Sequence, residues 1–222
     1  GACTIDVAAN TFTDAANNDN TAATQFNWTQ DTVEPSMVIT STTAGVTDGS
    51  TTKNTSIALT FTASEATTTF VAGDIIVTNG TISSFTAVSS IVYNATFTPL
   101  NAGDCTIDVP VGTFTDAAGN NNTAATTFNW EFDNIKPAMT ITSTTAGIIS
   151  GSTTNNLNIN LTFTTSKPTT NFATGDITVS NGSISNFAAL SSTVYTAIFT
   201  PTANGACTID VAANTFTDAA NN

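Results

Sequence analysis

The sequence predicts an all-β chain made of tandem, seven-stranded sandwich domains. Three observations carry this reading. A long segment returns at a fixed step, apolar residues alternate with Thr, Ser and Asn at period two, and no stretch has the period of an amphipathic helix. The recurring segment GACTIDVAANTFTDAANN fills residues 1–18 and returns unchanged at 205–222, with a looser copy, GDCTIDVPVGTFTDAAGN, at 103–120. The step is 102 residues each time (Cys3 to Cys105, Cys105 to Cys207). Other landmarks keep it: Phe61 recurs as Phe163, Phe70 as Phe172, Tyr93 as Tyr195, Phe97 as Phe199 and Pro35 as Pro137.

A period of about 100 residues is too long for a solenoid unit and suits one small domain. Residues 1–32 therefore read as the C-terminal part of one repeat, 33–134 as a complete repeat, and 135–222 as a repeat lacking its last strand. The parent chain is expected to be longer at both ends. The copy at 205–222 matches 1–18 better than the copy at 103–120 does, so the larger unit reads as a pair of alternating domains.

In the complete repeat the linker Asp31-Thr32-Val33-Glu34-Pro35 leads to a first strand over 36–41. A Gly/Thr/Asp-rich loop follows, then an apolar/small alternation over 56–62 that marks a half-buried strand. Gly73-Asp74 precedes a strand over 75–78. Asn79-Gly80 then reads as a type I′ hairpin turn into a partner strand over 81–87, because both residues tolerate positive φ. Strands over 92–97 and around Cys105 come next, and a loop over 114–122 leads to the last strand, 124–130. Seven short strands with regular turns and no helix predict an immunoglobulin-like sandwich of two antiparallel sheets.

Composition narrows the function. The 222 residues are 9 % charged and 40 % hydrophobic, with no His and a net charge of −13. The cations are Lys53, Lys136 and Lys167 alone. Such a surface repels phosphate backbones and anionic lipid, which speaks against nucleic acid and membrane insertion, and it favours divalent cations. Catalysis is not expected: there is no His to activate a thiol, no Arg and no Gly-rich phosphate loop. Carboxylate pairs alone can act as acid and base. However, Asp6 and Asp14 recur in the other copies, as scaffold positions do. One Cys per repeat, alternating with Ile and Val, reads as a small buried apolar residue. Its copies lie a domain apart, too far to bridge.

The run TFTDAAGNNNTAAT, with Gly-Asp before a strand and Asn-Gly after it, resembles the bacterial immunoglobulin-like repeats of large surface proteins and adhesins. The likeness spans essentially the whole chain. It implies extracellular or cell-surface extender domains, with neighbouring repeats of the same chain as partners and calcium often at the joints. The resemblance also implies secretion routes that commonly carry Cys-free chains, and the Cys in every repeat departs from that pattern. The expected function is a structural spacer in a surface fibre or adhesin stalk. The alternatives are a subunit of a self-assembling extracellular filament, joined laterally or end to end, and a module that binds carbohydrate or a surface. A binding module needs outward aromatics, and only Tyr93 and Tyr195 read as able to reach out.

The candidate site lies between repeats. In such a sandwich the linker, the loop after the second strand and the loop before the last strand share one pole. The first joint should gather Asp31, Glu34, Glu65 and Asp116, four carboxylates whose hard oxygens suit calcium. The second should gather Asp133, Lys136, Lys167 and Asp218, which can pair directly without metal. Two other readings stay open. Asp14, Asp116 and Asp218, each before Ala-Ala, can cap their own loops through backbone amides, and the joint charges can be solvated surface groups.

Overall fold

The structure, a computed structural model, describes residues 1–222 and contains sixteen strands and two short 3-10 turns. Strands β1 (Ala2–Ile5) and β2 (Phe26–Thr29) form an antiparallel ribbon at the start. The middle repeat holds β3 (Met37–Ser41), β4 (Ser50–Thr52), β5 (Ile57–Ala63), β6 (Ile76–Thr78), β7 (Gly80–Ala87), β8 (Val92–Pro99), β9 (Gly103–Asp108) and β10 (Phe128–Phe132). They make two sheets in the orders β3-β5-β8-β7 and β4-β10-β9-β6. The third repeat holds β11 (Met139–Ser143), β12 (Ile159–Thr165), β13 (Ile177–Ser180), β14 (Gly182–Ala189), β15 (Val194–Pro201) and β16 (Thr208–Val211). Its sheets are β11-β12-β15-β14 and the pair β13-β16.

Alternation decides which side chains face the core. In β5, Ile57, Leu59, Phe61 and Ala63 are buried while Ala58 and Thr62 face solvent. The middle core contains 19 buried apolar residues. One aromatic hub dominates it: Phe70 meets Phe61, Phe85, Tyr93 and Phe114 at centroid distances of 5.7, 5.5, 5.1 and 5.3 Å. The third repeat rebuilds the hub around Phe172, with Phe163, Phe187, Tyr195 and Phe216 at 5.7, 5.6, 5.0 and 5.4 Å. These are the tilted and edge-on arrangements that aromatic rings prefer.

Several features depart from the sequence expectation. The loop after the first strand contains β4, which pairs in parallel with β10 through Ser50↔Trp130, Thr51↔Glu131 and Thr52↔Phe132. The first strand thus leaves one sheet and continues on the other. Next, Asn79-Gly80 is not a hairpin, because β6 pairs with β9 whereas β7 pairs with β8. The dipeptide is a corner where the chain changes sheets. Asn79 adopts φ 54°, and its side chain donates to the Asn101 carbonyl and accepts from the Asn101 amide, tying the corner to the next turn. Gly80 lies against Phe97, where an added Cβ would sit 2.0 Å from the ring. Finally, Tyr93 and Tyr195 do not reach outward. Both rings are buried and their hydroxyls donate to the carbonyls of Thr67 and Thr169 at 2.7 and 2.8 Å, as a buried phenol requires.

The thiols follow their neighbours. Cys105 is fully buried, directly opposite Trp130, whose ring packs edge-on against Phe97 at 4.6 Å. Cys207 is exposed, contrary to the expectation of a buried thiol, because β16 pairs only with β13. Edge strands β7 and β14 each carry a bulge, with Ser84 at φ 51° and Asn186 at φ 50°. No helix is long and apolar enough to cross a membrane.

Candidate functional site

The loop before the last strand is built by its own side chains. Asn122, fully buried, accepts from the amides of Thr113 and Phe114 and donates to the carbonyls of Pro110 and Thr123. That places Phe114 in the hub and fixes Asp116 two residues later. Asp116 Oδ1 accepts the amides of Ala118 and Asn120, and Oδ2 accepts the Asn120 side chain, each at 2.9 Å. Asp14 and Asp218 hold the same loop in the other copies. The loop-capping role is therefore built in all three. The Asn120 side chain also donates to the Asp31 carbonyl, and its counterpart Asn222 donates to that of Asp133. Each loop thus holds the linker that enters its repeat.

A second pair of contacts brings in the loop after β5. Ser64 donates its amide to the Ser36 carbonyl, and Ser36 donates to the Ser64 hydroxyl. Ser166 and Ala138 repeat this in the third repeat. The next residue, Glu65 or Lys167, is thereby set beside the linker aspartate.

At the first joint Asp31, Glu65 and Asp116 each present a carboxylate oxygen, all within 4.8 Å of one another. Burial, then the charges of Asp31 and Asp116, push the Glu65 carboxyl above its ordinary value. Asp116 is held below its ordinary value, chiefly by the Asn120 side chain and against the opposing effect of burial. Three hard oxygen donors suit calcium and leave further positions for carbonyls or water, since that ion takes 6–8 ligands.

At the second joint Lys167 Nζ lies against both oxygens of Asp133, with Oδ2 at 2.6 Å, and reaches Asp218 Oδ2 at 3.5 Å. It also donates to the Ile135 carbonyl at 2.5 Å. Burial raises Asp218, but the amide and side chain of Asn222 and the Lys167 charge outweigh it, so the carboxyl sits below its ordinary value.

Glu34 and Lys136 belong to neither cluster, which corrects the expected four-residue sets. Asp31 and Asp133 turn inward by accepting the amides of Val33 and Ile135. The residue three further on is exposed at both joints. Lys136 instead donates to the Asn214 side chain at 3.0 Å. Sequence reasoning also missed Asn122 and the linker latch of Asn120 and Asn222. Their signal was present, since Asn20 and Asn122 recur at the repeat step.

No curated protein is significantly similar to the chain. Among solved structures, one titled as the crystal structure of invasin, a bacterial integrin-binding protein, is similar at 17 % identity and a TM-score of 0.42. The match covers 86 % of this chain and 40 % of that one. The family described as bacterial Ig-like domain matches residues 31–132 and again residues 133–222. The middle and third repeats are two tandem members of that family, and the chain belongs to it.

Proposed function

We propose that the chain is an extender, a row of non-catalytic domains in a bacterial surface fibre or adhesin stalk that holds a binding part away from the cell. The observation that supports this best is how consecutive repeats are joined. The Thr123 amide donates to the Pro35 carbonyl, so the chain enters the middle repeat beside the loop that precedes β10. It leaves after the other end of β10, and entry and exit are therefore a strand length apart. Asp133 then donates its amide to Thr52 of the middle repeat, while its carbonyl and side chain are held by Asn222 and Lys167 of the third. Solution scattering of the chain should give an elongated particle, each repeat adding roughly 4 nm from strand length plus loops. A folded-back, compact particle would overturn the reading.

Within it, the acidic joint is where calcium would act, held by Asp31, Glu65 and Asp116. The support is the convergence of three carboxylates with no cation of the chain among them. Calorimetric titration of calcium into the chain should give heat that disappears in Asp31→Asn/Glu65→Gln. Heat unchanged by that double substitution, or none in the parent chain, would remove calcium from the proposal.

A further inference from the structure

Every lysine of the chain makes a contact at the joint between the middle and third repeats. Lys53, at the end of β4, donates to the Asn221 carbonyl. Lys136 in the linker reaches Asn214, and Lys167 holds Asp133, Asp218 and the Ile135 carbonyl. Lys53 belongs to the middle repeat, whereas the partners of all three lysines lie in the third repeat and the linker that enters it. The Lys167 and Asp133 side chains are only 22 % and 15 % exposed, and Asp218 3 %. The group is thus more enclosed than an open surface ion pair, which solvent screens.

The first joint has the same framework without a cation. The serine ladder that positions residue 65 matches the one that positions residue 167, the linker aspartates accept equivalent amides, and the asparagine latches are equivalent. What differs at the centre is Glu65 against Lys167.

We propose that this one position sets whether a joint locks itself. Lysine there supplies an internal cation that binds the linker aspartate, the loop aspartate and a linker carbonyl into one block, fixing how successive repeats are oriented. Glutamate there supplies no cation, and the linker keeps its own turn, the asparagine latch and the bond from the Thr123 amide to the Pro35 carbonyl. The joint ahead of the middle repeat is thus unlocked and the joint ahead of the third repeat self-locked, and a single residue, in the loop after β5 or after β12, tells which is which. The inference concerns the joint itself and stands whether or not the array serves as a spacer.

Two equivalent amides report the state of each joint, Val33 bonded to Asp31 and Ile135 bonded to Asp133. Hydrogen exchange of the full chain, in buffer with chelator, should show Ile135 protected about tenfold more than Val33, as expected for a local opening that must break the clasp. Lys167→Glu and Lys167→Met should each bring Ile135 down to the Val33 level. Glu65→Lys should raise Val33 toward the Ile135 level. Unchanged exchange of the core amides of Phe61 and Phe163 would show that the repeats remain folded. Wild-type protection in Lys167→Met would show that the charge does not clasp the joint. No gain at Val33 in a folded Glu65→Lys chain would show that the position does not decide it. Either result overturns the proposal.

Discussion

The middle and third repeats share one half and differ in the other. Both build the four-stranded sheet and the five-ring hub with nearly the same spacings. The opposite sheet has four strands in the middle repeat and two in the third. Without a counterpart of β10, residues 152–154 of the third repeat form no strand although their equivalents form β4, and Cys207 is exposed where Cys105 is buried. The third core accordingly gathers 8 buried apolar residues against 19 in the middle one. The hub is thus specified within each repeat by local aromatic positions, whereas the second sheet depends on its final strand.

The sharpest way to break this comparison is to remove the hub. Phe70→Ala and Phe172→Ala should each cost about 3–5 kcal/mol, the usual range for emptying a buried ring site. The two losses should be alike, as read from the separate thermal transitions of the repeats. Trp130→Ala should cost a similar amount in the middle repeat alone and leave the transition of the third in place. If Trp130→Ala lowered both transitions equally, the repeats would be one cooperative unit and the comparison would fail.

A smaller effect is expected at the sheet-changing corner. Gly80→Ala and Gly182→Ala put a Cβ 2.0 and 2.2 Å from the rings of Phe97 and Phe199. Each should cost about 1–3 kcal/mol by overpacking. Denaturant midpoints should fall by matching amounts, since both corners belong to the shared half.

The smallest effect separates the joints by pH. Glu65 is raised above its ordinary 4.5, so its ionised form weakens the first joint. That joint should tighten as pH falls from neutrality through the raised value. Asp218 is lowered below 3.8, so its contribution is present above 3.8 and is lost as pH falls through the lowered value. Asp116 follows Asp218 in direction. Amide chemical shifts of Val33 and Ile135 followed against pH should therefore move in different windows, Val33 first. Coincident titrations would show that the two joints do not differ electrostatically.

Much of the shared half could be read from the sequence, because strand burial follows period-two alternation and the aromatic positions repeat at a fixed step. The pole that gathers Asp31, Glu65 and Asp116 was legible too, since it follows from strand direction alone. What was not legible depends on partners distant in sequence. Ser50–Thr52 carries no apolar alternation and becomes a strand only by lying along β10. Asn79-Gly80 has the local chemistry of a hairpin, but pairing of β6 with β9 and β7 with β8 sends its two sides to different sheets. Glu34 and Lys136 share the composition of the joint clusters, yet the inward turn at the preceding aspartate points them away.

The parallel pairing of β4 with β10 bears on how the middle repeat would answer a pulling force. Tension entering from the N-terminal linker is carried first by β3 on β5 and, once β3 yields, draws β4 toward the entry end, while tension leaving through Asp133 draws β10 the opposite way. Because the two strands run in the same direction, that pull slides one along the other, and the bonds joining Ser50–Thr52 to Trp130–Phe132 are loaded together rather than unzipped one by one. The short strand hidden in a loop is therefore a second hold on the load path, one that would keep the repeat closed after β3 has come away.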